Sequence, residues 1–257
     1  MVAFTLLTLN IHQGFSAFQR RAILDELRLA IAGVSADVVC LQEVGGHDPR
    51  SRRHAGWPSE PHYEFLADTL WSQHAYGRNA AYPGGHLGNA LLSKFPIARH
   101  LNQDVSIPGA EPRGALWCVL DVPGPCQPGQ SEPGRLSKPV HVVCVHLGLR
   151  ESHRRRQLEA LCRLIDNEIP ADAPLLVAGD FNDWRRRADG LLARCGLREV
   201  FVAATGQPAR TFPARWPLLP MDRIYVRNVR VRRAQVLSGR PWSHLSDHTP
   251  LLVEIAT

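Results

Sequence analysis

The chain has 257 residues, of which 44% are hydrophobic and 21% charged, ordinary globular usage that excludes disordered, collagen-like and low-complexity readings over most of its length. No apolar run approaches the roughly 18 residues that cross a bilayer, so no integral membrane segment is expected. Thirty Lys and Arg against 24 Asp and Glu leave a net charge of +6, which favours an anionic partner: nucleic acid, a phosphorylated small molecule or an acidic lipid surface.

In chain order, MVAFTLLTLN has neither a basic n-region nor a small-residue cleavage site and reads as a first strand, Phe4 to Asn10, rather than an export signal. Ile23, Leu27, Ile31 and Val34 then fall at helical spacing. Strand-like runs follow at Val38 to Glu43, Gly88 to Ser93, Ala115 to Val122 and Val140 to His146. Leu158, Leu161, Cys162, Ile165 and Ile169 define a second amphipathic helix. Further strands are expected at Leu175 to Asp180, Asp222 to Arg227, Val229 to Leu237 and Pro250 to Ile255.

The two halves thus share an outline of strand, helix, strand and further strands, which suggests two packed sheets with helices outside. We expect one domain over residues 1–257. Two polar stretches, Gly45 to Glu60 and the Pro- and Gly-rich Pro123 to Pro139, read as loops. Six cysteines without any CxxC spacing, three of them inside apolar strands, fit buried thiols in a reducing compartment, and a cytoplasmic location is the expectation.

Several strands end in polar residues that packing alone does not require. LTLN ends in Asn10, VCLQE in Glu43, VCVHL carries His146, LLVAGDFN carries Asp180 and Asn182, MDRIYV starts near Asp222, and SHLSDHTP carries Asp247 and His248 before the last strand. Strand ends can converge on one rim. Carboxylate oxygens gathered there hold a hard cation such as Mg²⁺, and His and Asn hydrogen-bond phosphate oxygens.

With these motifs in the order LN, LQEV, VHLG, GDFND with MDRIYV, and SDHTP, the chain resembles the endonuclease/exonuclease/phosphatase superfamily of metal-dependent phosphoesterases, from Thr8 to Pro250. The resemblance implies an α/β fold: a four-layer α/β/β/α sandwich of two mostly antiparallel mixed sheets with outer helices, and a site between their tops. It implies Mg²⁺, with Mn²⁺ as the alternative, held principally by Glu43, with Asn10 and Asp247 completing or supporting the site. Asp180 matches the residue that orients or deprotonates the attacking water. Asn182, His248 and His146 match phosphate-side groups, with Asp222 as the carboxylate paired to His248. The implied substrate is a phosphoester, with a phosphodiester in nucleic acid first and a phospholipid, headgroup or sugar phosphate as the alternative. A non-catalytic phosphate-binding module is the reading from another class.

Other residues carry alternative readings. Arg113 in EPRGAL can reach a phosphate bidentately or pair locally. His12, in NIHQGF, contacts substrate, tunes the metal or is structural; Asn89 is a further substrate-side candidate. Trp184 and Trp242 flank the GDFND and SHLSDH motifs and can stack on substrate or belong to the core, where Trp117 is expected. His244 and His248, four apart, offer a zinc reading, against which stand the flanking Pro241 and Pro250 and the absence of HExxH. The runs Arg154–Arg156 and Arg185–Arg187 are either solvated faces or a phosphate-steering rim.

Overall fold

The computed structural model describes residues 2–16, 21–46, 57–124 and 139–257. The strand expected first is β1 (Ala3–Asn10), followed by α1 (Leu24–Val34), β2 (Val38–Gly45), α2 (His62–Ala67), β3 (Gln73–Tyr82), β4 (Gly85–Ser93) and β5 (Ile97–Asp104). Next come β6 (Gly114–Leu120), β7 (Val140–His146), α3 (Glu151–Glu168), β8 (Leu175–Asp180), α4 (Arg187–Ala193), β9 (Arg198–Glu199) and α5 (Val200–Thr205). The chain ends with β10 (Asp222–Arg227), β11 (Arg230–Val236), α6 (Trp242–Leu245) and β12 (Leu251–Ala256).

The strands form two six-stranded mixed sheets, ordered β11-β12-β1-β2-β4-β3 and β5-β6-β7-β8-β10-β9. Each sheet has one parallel pair at its centre, β1 with β2 and β7 with β8, and antiparallel strands outside it. A parallel pair needs a crossover; α1 and α3 supply the two crossovers, which is the likeness between halves seen in the sequence.

Burial alternates along each central strand. Phe4 and Leu6 of β1 join Val142 and Cys144 of β7 in the core between the sheets. Leu7 and Leu9 face outward onto Leu27 and Ile31 of α1, while Val143 and Val145 face Leu158, Leu161 and Ile165 of α3. At their centres both sheets are therefore covered on both faces, giving the layers α/β/β/α. A strand buried on two faces reads as a continuous apolar run, and each Leu or Ile so buried contributes about 1.5–3 kcal/mol. Helix α3 stops where Ile169 precedes Pro170, a position that disfavours helical backbone.

Three strands were not expected from the sequence. β3 and β5 are largely exposed along their length, and β9 has two residues. An edge strand with little buried surface carries no apolar alternation to read. The predicted run Ala115–Val122 ends at Leu120, and the expected segments 45–60 and 123–139 lie mostly outside the described residues. The described cysteines are all free thiols. Among the described residues, no helix is long and apolar enough to cross a membrane.

Candidate active site

Register explains why distant residues meet. Asn10 pairs with Gln42 at the ends of β1 and β2, and His146 pairs with Asp180 at the ends of β7 and β8. Strands antiparallel to these bring further groups to the same rim: Asp222 opens β10 opposite Asp180, Asn89 lies midway along β4 opposite the irregular stretch of β2 between Leu41 and Val44, Arg113 precedes β6, and Asp247 and His248 precede β12. Carboxyl ends of parallel strands are the usual place for a ligand crevice in α/β folds.

The Asn10 side chain bridges the two sheets. Its Nδ2 donates to Asp180 Oδ2 at 3.1 Å and lies 3.4 Å from Glu43 Oε1, while its Oδ1 accepts from the His12 backbone N–H at 3.0 Å. Asp180 Oδ2 also faces His146 Nε2 at 3.5 Å and His248 Nε2 at 3.8 Å. Its other oxygen accepts from the Asn182 N–H at 2.9 Å, and Asn182, at φ +51°, donates through Nδ2 to Leu147 O at 2.9 Å. His248 Nδ1 lies 2.8 Å from Asp222 Oδ2. Asp247 Oδ1 is 3.4 Å from His12 Nδ1.

The two histidines are driven apart in protonation. Burial lowers His146 well below the usual imidazole range, and the nearby positive charges of Arg113 and His248 add to that. Burial also opposes charge on His248, but the Asp222 and Asp180 carboxylates together outweigh it and hold the ring up at about 10. The Asp180 carboxyl is raised, by burial first and by Asp222, against opposition from His248 and the Asn182 and Asn10 hydrogen bonds. Near neutrality the cleft therefore holds an imidazolium, a neutral imidazole and a basic carboxylate.

Of the substrate-side candidates, Arg113 and Asn89 line one cavity with Glu43, Gln13 and His146. Arg113 is bound to Glu111 at 2.8 Å. Asn89 Nδ2 donates to Gly114 O at 2.9 Å, pinning one sheet to the other, and its Oδ1 has no hydrogen-bond partner among the described residues. Trp184 is exposed and lies 5.4 Å from the Arg154 guanidinium. Trp242 is buried in the core under α1, with Trp117 in the core beneath α3. His244 belongs to exposed surface beside Ser243, apart from the Asp180, Asp222 and His248 cluster.

Several supporting residues escaped the sequence reading. Thr211 Oγ1 accepts the Asp222 N–H at 3.2 Å, and Ser246 Oγ donates to Asn10 O at 2.7 Å. Within the run Arg154–Arg156, Arg154 alone departs from the solvated-face and steering-rim readings, while Arg155 and Arg156 are exposed. Arg154 is 3% exposed, donates to Gly148 O and Leu149 O after β7, and pairs with buried Asp183 after β8 at 3.9 Å. Arg223, fully buried, donates to Asp183 O at 3.0 Å. Arg154 shares a helical stripe with Leu158, Leu161 and Ile165, and that periodicity was the available signal.

The donor set fits a divalent cation. Glu43, Asp180, Asp222 and Asp247 converge where His248 supplies the internal positive charge and Arg113 is engaged by Glu111. Among the described residues, Glu43 is approached by the amides of Asn10 at 3.4 Å and Gln13 at 3.5 Å, both beyond good hydrogen-bond length, so its oxygens could accept a further partner. Among the described residues, Asp180, Asp222 and His248 also present ligand atoms within 4.8 Å of one another. In that cluster Asp222 and His248 are already hydrogen-bonded to each other, and Glu43 is a further group that could hold a cation.

The two-sheet α/β/β/α sandwich carries a rim of carboxylate, amide and imidazole groups at the ends of its central strands. The chain belongs to the endonuclease/exonuclease/phosphatase family, whose family model matches residues 7–248. It is 53% identical over 255 residues to uncharacterized protein YbhP of Escherichia coli K12, covering 98% of this chain and 96% of that one. In structure it is similar to an endonuclease/exonuclease/phosphatase of Beutenbergia cavernae, with TM-score 0.76, 19% identity, and coverage of 98% of this chain and 71% of the other. It is also similar to D. rerio TDP2 complexed with a single-strand DNA product, with TM-score 0.68, 17% identity and full coverage of both chains.

Proposed function

We propose that this protein is a divalent-metal-dependent phosphoesterase that hydrolyses a phosphodiester, with nucleic acid as the first substrate class. The observation that carries the reading is the surround of one oxygen: Asp180 Oδ2 is faced by Asn10 Nδ2, His146 Nε2 and His248 Nε2 at 3.1, 3.5 and 3.8 Å.

In this reading Asp180 accepts the proton of the attacking water, a task suited to a carboxylate whose proton affinity has been raised toward neutrality. The His248 imidazolium, oriented by Asp222, donates through Nε2 to a phosphate oxygen. Asn182 and neutral His146 bound the same space and hold the remaining equatorial oxygens, and Arg113 approaches from the β6 side. Glu43, with Asn10 and Asp247 in support, would hold Mg²⁺ or Mn²⁺; when bound, the metal supplies Lewis-acid neutralisation of phosphate charge. Water adds to phosphorus as its proton passes to Asp180, the ester P–O bond breaks, and the departing oxygen takes up a proton from solvent, so that one water is consumed for each ester cleaved.

The test is hydrolysis of bis(p-nitrophenyl) phosphate and of single-stranded DNA by the purified protein with Mg²⁺, with Mn²⁺ and in excess chelator. Turnover that needs the ion and is lost in Glu43→Ala is the expected result. Undiminished hydrolysis in chelator or in that variant would reject the mechanism, and tight phosphate binding without turnover of any ester would leave a binding module instead.

A further inference from the structure

Glu43 has φ +56°, inside β2, where pairing with β4 slips between Leu41 and Val44. A bulge at this point re-aims one side chain, and a left-handed residue bearing a Cβ needs its neighbours to hold it there. The two residues that follow are gripped from outside the strand. Tyr76 Oη on β3 donates to Val44 O at 3.2 Å, and Gly45 N–H donates to Nδ1 of buried His62 on α2 at 3.2 Å. Tyr76 is itself stacked on Tyr63, with centroids 4.6 Å apart and planes at 20°.

The rings fill the places where side chains would stand. A Cβ added to Gly45 would come within 2.8 Å of His62 Cε1, and one added to Gly46 within 1.8 Å of His86 Cε1. The Gly-Gly pair after Glu43 is thus what allows imidazoles to press directly on the backbone. His62 accepts through Nδ1, which places its proton on Nε2.

We propose that His62 and Tyr76 are positioning residues for Glu43, holding the bulged end of β2 so that the carboxylate points into the cleft rather than relaxing out of it. The proposal rests on the reading of Glu43 as a cation ligand. Neither residue lines the cavity around Glu43, so each acts through the backbone of residues 44 and 45.

The experiment measures Mn²⁺ binding to the full chain by titration calorimetry, with metal-free melting curves on the same samples. Groups that orient a ligand typically change affinity 10- to 100-fold when lost. Tyr76→Phe and His62→Phe should weaken Mn²⁺ binding by about tenfold or more, while His62→Asn, whose Oδ1 can accept the Gly45 N–H, should restore most of it. Wild-type affinity in folded Tyr76→Phe and His62→Phe, with binding lost in Glu43→Gln, overturns the positioning role and leaves the metal reading intact. Wild-type affinity in Glu43→Gln overturns the metal reading itself. Should His62→Phe fail to fold, Tyr76→Phe, which deletes one hydroxyl, decides alone.

Discussion

The Asn10 amide reaches Asp180 Oδ2 at 3.1 Å across 170 positions of sequence, and the same nitrogen lies 3.4 Å from Glu43. One neutral donor therefore separates two carboxylates that would otherwise repel each other. Asn10→Asp replaces the donor with a third carboxylate. We expect the Asp180 proton affinity to rise further and kcat/KM to fall at least about 10²-fold, the size seen when one preorganised donor at a charge-developing site is removed. Steady-state kinetics with a fixed excess of Mn²⁺ checks this, and a variant within threefold of wild type contradicts it.

The His248–Asp222 pair sets a pH dependence of opposite sign to the usual carboxylate one. In the folded protein His248 holds its proton up to about 10, whereas in the unfolded chain it loses it near 6.5. Between those values the native state binds more protons, so stability falls as pH rises. The contribution is complete below about 6.5 and lost as pH passes through about 10. Asp222→Asn removes the facing charge, so the histidine should titrate lower, the alkaline limb of activity should move down with it, and the stability slope between pH 7 and 10 should flatten. NMR titration of the His248 ring and chemical denaturation at several pH values measure the two effects independently.

Arg154 and Arg155 are neighbours in sequence with opposite fates. Arg154 is buried, holding the Gly148 and Leu149 carbonyls and facing Asp183, while Arg155 is 75% exposed and pairs with Glu159 at 3.2 Å. Arg154→Met leaves the Asp183 carboxylate without its facing charge and the loop after β7 without its anchor. Breaking a buried pair costs about 3–5 kcal/mol, so urea denaturation should show a loss of that order. Arg155→Ala should stay within about 0.5 kcal/mol, as surface changes generally do.

That contrast also explains what could be read in advance. β1, β2, β7 and β8 are buried on both faces and announce themselves as apolar runs, so the polar residues at or near their carboxyl ends, Asn10, Glu43, His146 and Asp180, stand out as interruptions. β3 and β5 are exposed edges and carry no such signature. The supporting groups were illegible for a related reason. Tyr76 lies on an edge strand and His62 opens a six-residue helix, and their roles come from contacts with backbone 32 and 17 positions away. Contacts with main-chain atoms leave no trace in residue patterning.

The glycine before Asp180 offers a sharper test of how the site is built. Gly179 has φ +144°, and a Cβ there would come within 2.0 Å of Val145 O on the neighbouring parallel strand. That obstacle is backbone in the centre of a sheet and has nowhere to move. Ala178, one position earlier and fully buried, faces the inter-sheet core. Gly179→Ala and Ala178→Gly change the same single methyl in opposite directions. Removing it from Ala178 should cost about 1 kcal/mol, whereas adding it at Gly179 should exceed about 4 kcal/mol or abolish folding. Melting curves of the two variants decide the matter, and a Gly179→Ala protein as stable as Ala178→Gly would mean that β7 and β8 do not approach as closely as their register requires.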